Sequence, residues 1–272
     1  MRPSLLALVL LLVSCSSQSG DPHSDAGIPA VGGKDLQIRQ LTDPSLPGHE
    51  TLVGTTQAIS GAVVIAVDTY DETMNGKGAG AILVQDIGAS KDTPYAGINL
   101  FAPSFNPGNL KVSPGDVLDM RGQYQENTRI PSNPPVIFAP GAVLSQLAQP
   151  IATFRYETAV PEPVDIDLQD LTDFAKGRRW LGMLVRVKNV TAAADLYTSS
   201  SGHASIDLTK APQGAGTACE APFPKAVQLV NDLMDLKPLP VKDGTPIKSI
   251  VGVVGFFCSL KIAPRSPADI QL

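Results

Sequence analysis

Apolar and polar residues alternate along most of this chain in short segments that are typical of β-strands. The clearest segment follows the turn Pro114-Gly115-Asp116. One of its faces carries Leu118, Met120, Gly122 and Tyr124, and the other carries Asp119, Arg121, Gln123 and Gln125. Because only one face is apolar, the pattern predicts a strand with one buried side and one solvent-facing side.

Similar segments recur between turns of Gly, Pro, Asn and Asp, and they predict five strands in each half of the chain. The strands of the first half are predicted at 62–68, 81–85, 97–101, 117–125 and 136–139. Those of the second half are predicted at 183–190, 205–208, 226–230, 247–258 and 261–263. Short helices are predicted at 168–174, where Asp167 could cap the first turn, and at 227–236, which competes with a strand there.

The two halves keep a similar spacing. Gly61 and Gly182, which open the first predicted strand of each half, are 121 residues apart. The segments Ile137-Phe138-Ala139-Pro140 and Lys261-Ile262-Ala263-Pro264, which close the halves, are 124 residues apart. These offsets indicate a duplicated module, and the alternative is a coincidence between common strand residues.

Five short strands in a module of about 110 residues suit a small Greek-key barrel of the OB type. Gly252 and Gly255 interrupt an apolar run, and such glycines commonly mark the bends at which a strand closes a barrel. We therefore predict an all-β fold: two tandem five-stranded OB-like (Greek-key) barrels with short helices, over 35–155 and 156–272.

A family resemblance supports this fold. The segments Ser60-Gly61-Ala62-Val63-Val64-Ile65-Ala66-Val67-Asp68, Ile82-Leu83-Val84-Gln85-Asp86 and Gly122-Gln123-Tyr124-Gln125-Glu126 resemble the OB-fold-like modules that accompany secreted bacterial endonuclease/exonuclease/phosphatase-type nucleases. The segment Trp180-Leu181-Gly182-Met183-Leu184-Val185 looks like the opening of a second such module. Catalysis in that family belongs to a separate nuclease domain that nothing here matches, so the resemblance implies the accessory part alone.

The N-terminus predicts export. Residues 5–13 form an unbroken apolar run after one positive charge, which is typical of a secretory signal and too short for a membrane-spanning helix of about 20 residues. Leu12-Val13-Ser14-Cys15 resembles the lipobox of bacterial lipoproteins, which implies a signal peptide over 1–14 and lipid on Cys15. The alternative is an ordinary signal peptide in which Cys15 is incidental.

Residues 15–34 are small, polar and rich in Gly and Pro, and they are predicted to form a flexible tether. Ser16 in place of an aspartate favours the outer membrane or cell surface by the usual sorting tendency, with inner-membrane anchoring left open. The membrane is thus the one partner that the sequence names; a protein or polymer partner stays unknown. With Cys15 used by lipid, Cys219 and Cys258 remain as an even pair, and in an oxidising compartment we expect them to form a disulfide rather than two buried thiols.

Charge argues against a strong non-specific grip on nucleic acid. Residues 35–150 carry 11 acidic and 6 basic side chains, and residues 165–272 carry 11 acidic and 12 basic ones. Neither half is a basic polyelectrolyte.

No catalytic residues or cofactor are predicted. The sequence has no G-x-S-x-G elbow, no phosphate-binding Gly-Lys-Ser/Thr loop and no C-x-x-C pair. His23, His49 and His203 have no metal-ligating partner at a suitable spacing, and we expect all three to be solvated.

Two groups of residues are candidate binding sites. Residues 68–76 form an acidic loop, which supplies oxygen ligands of the kind that calcium prefers, although a solvated hairpin loop is the favoured alternative. The candidate ligands of this acidic loop are Asp68, Asp71, Glu72 and Asn75. The second group is the local cluster of basic and aromatic side chains, which could bind a single strand or an oligosaccharide: Arg178, Arg179, Trp180, Arg186 and Lys188. The favoured alternative there is that Trp180 fills the end of a barrel while the arginines are solvated.

These observations predict a membrane-anchored, exported lipoprotein that acts as a non-catalytic binding or scaffold module. One alternative is an accessory protein that binds extracellular nucleic acid or oligosaccharide for a separate secreted enzyme. Another is a hydrolase with an unrecognised metal-dependent site.

Overall fold

Residues 35–72, 74, 76, 80–131, 135–210, 219 and 226–272 are described by a computed structural model of the chain, and Cys15, the tether and Asn75 lie outside this set. The strands of the first half are β1 (Thr56–Val67), β2 (Ile82–Asp86), β3 (Gly97–Phe101), β4 (Ser104–Asn106), β5 (Asp116–Asn127), β6 (Arg129–Ile130), β7 (Val136–Ile137) and β8 (Leu144–Glu157). Two short helices precede them, α1 (Ile38–Thr42) and α2 (His49–Leu52).

Five of these strands close into a barrel, which we call the first barrel. Strand β1 pairs antiparallel with β2 and β5, β2 pairs with β3, and β5 pairs with β8. A parallel pairing of β3 with β8 closes the ring. The interior is filled by alternate apolar residues of every strand, among them Ile59, Val84, Leu118, Met120 and Leu147.

Helix α1 closes one end of this barrel. Its Ile38 and Leu41 are buried in the same apolar cluster as the strand residues. The first N–H groups of a helix have no partner within the helix, and here β2 supplies one. The N–H groups of Ile38 and Arg39 donate to the two carboxylate oxygens of Asp86 at 2.8 and 3.0 Å. Burial nevertheless raises the pKa of Asp86.

The strands of the second half are β9 (Val164–Asp165), β10 (Leu184–Thr191), β11 (Tyr197–Thr198), β12 (Ala204–Asp207), β13 (Gln228–Val230), β14 (Pro246–Phe256), β15 (Leu260–Ala263) and β16 (Ile270–Gln271). They form one sheet in the order β11-β12-β13-β15-β14-β10-β9, with β16 beside β14. The parallel pair β13 and β15 corresponds to the parallel pair β3 and β8 of the first half. We call this sheet the second barrel.

The second barrel is less completely closed than the first. Among the described residues, no ladder joins β10 to β12, and the gap is bridged where the Ala193 N–H donates to the Asp207 carbonyl at 2.7 Å. Its interior is an apolar cluster that includes Val187, Leu229, Ile250, Val254 and Ile262. The order of strands is therefore the same in both halves, while the closure differs.

The predicted all-β fold class is confirmed, and the main strand error concerns the fifth strand of the first barrel. The segment predicted at 136–139 contains only β7, which pairs with β6, and the barrel is closed by the unpredicted β8. Pro150 lies in the middle of β8, where the pairing register with β5 shifts between Arg121 and Gln123. A bulge accommodates a proline that an unbroken ladder would exclude. The correspondence drawn between Ile137–Pro140 and Lys261–Pro264 is consequently wrong.

The helices are shorter than predicted. A 3-10 helix spans Leu168–Thr172, and its cap is Asp167, whose side chain accepts from the Gln169 N–H at 2.9 Å. It is followed by α3 (Phe174–Gly177) and a 3-10 helix over Arg178–Trp180, and another 3-10 helix spans Pro267–Asp269. The segment 227–236 holds the strand β13 and no helix. Across the described ranges, every helix is too short or too polar to cross a bilayer.

Candidate ligand-binding cavity

The two barrels touch backbone to backbone along part of their interface, which we call the seam. Gly97 begins β3 and Gly182 precedes β10, and a Cβ atom on Gly97 would overlap the Gly182 carbonyl group. Gly182 has a φ of +71°, and a Cβ atom there would lie 2.6 Å from the Ile98 nitrogen. Both positions therefore require glycine. Gly97 has no room for a side chain, and Gly182 has no room and also has a backbone conformation that favours glycine.

A buried hydrogen bond and an apolar cluster complete the seam. The Leu184 N–H donates to the Gln85 side-chain oxygen at 2.8 Å, and Gln85 is fully buried. Around it, Val63, Ile65 and Val117 of the first barrel pack against Leu184 and Val253 of the second. The other polar atom of this side chain, Nε2 of Gln85, is buried and has no hydrogen-bond partner among the described residues.

A cavity of about 640 Å³ opens beside the seam. Its first wall is the outer face of the first barrel, where Ala81, Leu83 and Asn99 lie on or next to β2 and β3. Its second wall is the outer face of β14 and β15, where Val253, Gly255 and Lys261 are found. The described lining is completed by Asp68, Glu72, Gly97, Ile98, Leu144, Ser145, Leu181, Gly182, Ser199, Ser201, His203, Asp232, Leu233, Val254, Phe256, Phe257 and Ala263.

Apolar atoms predominate on these walls, and a few polar groups stand among them. Two of the polar groups are acceptors that are buried and have no hydrogen-bond partner among the described residues: Oδ1 of Asn99 and Oε2 of Glu72. Both oxygens are inaccessible to water, so they lie in the packed part of the wall and not on its open surface. On the second wall, Lys261 lies over the Phe257 ring, with Nζ 5.1 Å from the ring centroid.

The acidic loop after β1 borders the cavity and is held to the second barrel. The Asp68 N–H donates to the Ala81 carbonyl at 2.8 Å, which fixes the start of the loop beside β2. Tyr70 extends from the loop to the side chains of Asn231 and Asp235, and burial, followed by the Asp235 carboxylate, raises the pKa of the Tyr70 phenol. The loop thus belongs to the border between the two barrels.

The calcium ligands predicted in this loop are only partly assembled. Asp68 is buried and accepts from the Tyr70 N–H at 3.2 Å, and Asp71 accepts from the Gly76 N–H at 2.6 Å. Within the described ranges, no three His, Cys, Asp or Glu side chains are grouped so that they could hold a metal ion. Asn75, the fourth predicted ligand, lies outside those ranges.

The basic and aromatic residues predicted as a ligand site are divided among structural contacts. Trp180 is 1% exposed, its indole N–H donates to Asp170 at 3.2 Å, and Arg179 covers its ring and also pairs with Asp170 at 2.8 Å. A buried indole leaves no face on which a base or a sugar could stack. Arg178 crosses the interface and forms an ion pair with Glu126 of the first barrel, so it is not the solvated side chain of the alternative interpretation.

Arg186 and Lys188 remain near the surface, on β10. Both pair with Asp165, and the hydrogen bond from Lys188 is the main reason that the pKa of Asp165 is lowered. Together with Lys91 and Lys210 they border a second depression of about 750 Å³. The structure therefore separates the predicted cluster into residues 178–180, which contact Glu126 and Asp170, and the pair Arg186 and Lys188 on β10, which contacts Asp165.

His49 corrects the prediction that all three histidines are solvated. It is 6% exposed, and its Nε2 lies 3.0 Å from the Glu126 carboxylate. Tyr124 is fully buried beside it and donates its hydroxyl proton to the same carboxylate at 2.6 Å, and burial, followed by this hydrogen bond, raises its pKa. His203 is exposed at the rim of the cavity, and His23 lies outside the described residues.

The two remaining cysteines pair as the sequence predicts. Cys219 and Cys258 form a disulfide with their Cα atoms 4.7 Å apart. Cys258 follows Phe256 and Phe257, which line the cavity, so the bond lies close to the second wall.

Sequence reasoning missed the residues that define the seam and the cavity. Asn99 is the polar position between two inward-facing residues of a predicted strand, Ile98 and Leu100, and the alternation alone placed it on the outer face. Nothing in the local pattern shows that another barrel covers that face. The same holds for Gly97, Glu126 and Gly255, whose partners or surroundings lie in the other half of the chain.

Comparisons with known proteins identify no family. No family model matches the chain, and no curated protein matches it either. Among solved structures, it is similar to the single-stranded DNA binding protein from Thermus aquaticus. A deletion mutant of that protein is 12% identical, with 79% of this chain and 93% of that chain covered and a TM-score of 0.21. The wild-type protein is 11% identical, with 79% and 92% covered and a TM-score of 0.19. Both TM-scores are too low to show a common fold, so these matches support no conclusion about fold or function.

Proposed function

We propose that this chain is a non-catalytic binding module that takes a small, partly apolar ligand in the cavity between its two barrels. We further propose that it is exported and held by lipid on Cys15 at the outer membrane or cell surface. The single observation that carries the binding proposal is a cavity of about 640 Å³ between the two barrels, with predominantly apolar walls.

Size and lining both suit a ligand site. Pockets that bind small molecules usually measure roughly 300–1,000 Å³ and combine apolar walls with a few polar groups that orient the ligand. The cavity lies within that range. It also lies between two packed modules, where such sites are common.

Anchoring is supported by the leader. The apolar run of residues 5–13 ends at Ser14-Cys15, where a lipobox cysteine belongs. Two or three acyl chains on one residue exceed what stable attachment needs, because each buried methylene contributes about 0.8 kcal/mol. The disulfide between Cys219 and Cys258 suits an oxidising compartment.

The binding proposal is tested by closing the cavity without disturbing its walls. A Cβ atom on Gly255 would meet no heavy atom within 4 Å, and the backbone there has an ordinary φ, so Gly255→Trp places its ring in the empty space. We expect the full chain carrying Cys15→Ser, which has no acyl chain, to bind 4-phenylbutan-1-ol in saturation-transfer NMR. The additional substitution Gly255→Trp abolishes this signal.

Gly108→Trp is the matched control. Gly108 is exposed, has an ordinary φ, and a Cβ atom there would have its nearest neighbour at 4.0 Å, outside the cavity. It should leave the probe signal unchanged. If the chain carrying Cys15→Ser alone gives no signal, or if both tryptophan variants bind the probe as that chain does, the cavity is not a ligand site.

The anchor is tested separately by mass spectrometry of the mature N-terminal peptide. We expect an acylated residue 15 as the first residue, and release of the protein from membranes when Cys15 is replaced by Ser. A mature chain that starts elsewhere and carries a free thiol at residue 15 would overturn this part of the proposal and leave the cavity proposal untouched.

One observation favours a second candidate function, the accessory protein that binds extracellular nucleic acid for a separate enzyme. The depression beside β10 is bordered by four cationic side chains, Lys91, Arg186, Lys188 and Lys210. Cations along a groove can hold a phosphate backbone. Two carboxylates, Asp165 and Asp167, border the same depression and weaken this candidate.

Single-strand binding across a salt series distinguishes the two candidates. A phosphate-binding groove should lose affinity steeply with salt, and Lys210→Ala should weaken binding about equally for every base composition. No binding at low salt would remove the candidate.

A further inference from the structure

We propose that the first part of the acidic loop, residues 68–72, is a lid over the mouth of the cavity, and that Tyr70 is the latch that must release before a ligand enters or leaves. This inference rests on the proposed function and concerns how the same site is opened. It follows from where the lid lies, from what holds Tyr70 and from how such a contact opens.

Two segments, one from each barrel, meet at the rim of the cavity. The lid follows β1 of the first barrel and contributes Asp68 and Glu72 to the lining. Residues 199–203, which we call the hairpin tip, connect β11 to β12 of the second barrel and contribute three lining residues: Ser199, Ser201 and His203. Ser201 and His203 are exposed, so the cavity meets solvent on this side.

The hairpin tip is held in place by Asn231, which is 1% exposed. Its Oδ1 accepts from the Ala204 N–H at 2.7 Å, and its Nδ2 donates to the Gly202 carbonyl at 3.2 Å. Its backbone N–H donates to the Ala204 carbonyl at 3.1 Å. The next two residues, Asp232 and Leu233, line the cavity. Asn231 is therefore a fixed point at the rim, and one N–H of its side-chain amide is left for a further acceptor.

Tyr70 of the lid is bonded to this fixed point. Its phenol forms side-chain hydrogen bonds with Asn231 and Asp235. Because a carboxylate only accepts, the phenol donates to Asp235 and accepts from the remaining N–H of Asn231. The Tyr70 side chain thus joins the lid of the first barrel to the hairpin tip of the second through one buried amide.

The latch opens at a lower cost than the seam does. The seam consists of backbone contact and buried apolar side chains, which must separate together. Tyr70 is only half-buried, so water replaces its hydrogen bonds when they break. Segments held by such hydrogen bonds open locally without unfolding of the whole protein, and loops of this kind commonly gate binding sites. Release of Tyr70 therefore opens the rim while the seam keeps the two barrels joined.

The reactivity of a thiol inside the cavity tests the latch without any ligand. In the full chain carrying Cys15→Ser and Gly255→Cys, position 255 supplies the one free thiol, because Cys219 and Cys258 are paired. A Cβ atom at position 255 has no neighbour within 4 Å, so the new side chain lies in empty space. We expect N-phenylmaleimide to label this thiol more slowly than the thiol of Gly108→Cys, which is exposed outside the cavity.

Tyr70→Phe removes the hydroxyl group of the latch and keeps its ring. Loss of the hydrogen bonds should raise the labelling rate at position 255 by about 5-fold or more. Tyr156→Phe makes the same change at an exposed tyrosine of β8 outside the cavity, and labelling should stay within about 2-fold of the parent chain. Ala62→Cys in place of Gly255→Cys puts the thiol in the core of the first barrel, where labelling reports global unfolding. Tyr70→Phe should leave that rate unchanged.

The kinetics of probe binding give a second measurement. In the chain carrying Cys15→Ser, Tyr70→Phe should speed both the association and the dissociation of 4-phenylbutan-1-ol, measured by NMR exchange broadening. Its dissociation constant should change less than either rate, because a lid that opens more often helps entry and exit alike. A residue that only contacted the ligand would change mainly the dissociation rate.

The outcomes separate the inference from the proposed function. The lid does not close the cavity if Tyr70→Phe labels position 255 at the parent rate, or if the parent labels as fast as Gly108→Cys. The inference also fails if Tyr70→Phe speeds labelling of Ala62→Cys as much as that of Gly255→Cys, because the latch would then only stabilise the whole fold. If the latch controls labelling but no probe binds, the lid stands and the cavity is not a ligand site. If the probe binds and Tyr70→Phe changes no rate, the ligand site stands without a lid.

Discussion

Where Gly97 faces Gly182 the two barrels touch backbone to backbone, whereas two residues further along β3 Asn99 borders a cavity. The opposing strand β14 shows the same transition, because Val253 packs in the apolar cluster of the seam and Gly255 borders empty space. The interface thus passes from close packing to a cavity within two residues on each side. Contact at the seam fixes the separation of the barrels, and the glycine at position 255 beyond it leaves the volume unfilled.

This contrast depends on the small residue at position 255, beside which the space is empty. Protein interiors are close-packed, and larger side chains on these walls would gain dispersion contacts that the partly open cavity does not provide. A longer residue at Gly255 would fill space without a clash. Stability alone therefore does not explain the glycine there, while a ligand would.

The largest expected effect comes from disturbing the seam at its tightest point. We expect Gly97→Ala to lower the free energy of unfolding by at least about 4 kcal/mol, because the new methyl group overlaps the Gly182 backbone and the barrels must move apart. Urea unfolding followed by circular dichroism measures the change. A loss below about 1 kcal/mol would show that the seam is looser than its geometry indicates.

A second effect is expected where an ion pair crosses between the barrels. Glu126 accepts from Arg178 of the second half and from Tyr124 of the first, and the side chains of Glu126 and Arg178 are 13% and 14% exposed. Glu126→Ala leaves the arginine without its counter-ion, and we expect a loss of about 3 kcal/mol, which is at the low end for a broken buried pair because both groups keep some solvent.

The control for this pair is Glu157→Ala, which removes an exposed carboxylate at the end of β8 and should stay within about 0.5 kcal/mol of the wild type. The double variant Glu126→Leu with Arg178→Met should recover part of the loss, since an apolar pair leaves no buried charge. Equal stability of Glu126→Ala and Glu157→Ala would show that the pair does not hold the barrels together.

A smaller loss is expected from the buried hydrogen bond of the seam. Gln85→Leu keeps the apolar packing but leaves the Leu184 N–H buried without an acceptor, and we expect a cost of about 2 kcal/mol. Gln123→Leu, on an exposed position of β5, is the matched control and should change the unfolding free energy by less than about 0.5 kcal/mol. Hydrogen exchange of the Leu184 amide gives a second measurement, and it should become faster only in Gln85→Leu.

The fold was largely predictable because its signals are local. Alternation placed β3 at its observed residues and placed β5 and β10 within two residues of their observed ends. It failed for β8, where Pro150 and a shift in pairing register hide the alternation, and for α1, whose five residues are too few to show a period. Alternation predicts a strand that has one buried and one solvent-facing side, and it fails where a bulge interrupts the pairing.

The candidate site was less predictable because its residues come from both halves of the chain and meet only where the two barrels pack against each other. Each half shows an ordinary strand with one outward polar or small residue, such as Asn99 in the first and Gly255 in the second. No local pattern indicates that these two outer faces oppose each other. The conspicuous sequence feature, the basic and aromatic group at Trp180, turned out to be divided between core contacts and surface ion pairs.

The smallest expected effect, and the sharpest test of the comparison, comes from Gly255→Ala set beside Gly97→Ala. Both add one methyl group to a glycine with an ordinary φ on a face between the barrels, but at Gly255 the methyl group meets nothing within 4 Å. Removing the extra freedom that glycine gives the unfolded chain should raise the free energy of unfolding by about 0.5 kcal/mol. Urea unfolding of the two variants in parallel measures the difference. A destabilisation by Gly255→Ala of more than about 1 kcal/mol would mean that the barrels also close over Gly255 in solution. The contrast between a packed seam and an open cavity would then fail, because the two barrels would be packed as tightly beside Gly255 as they are beside Gly97.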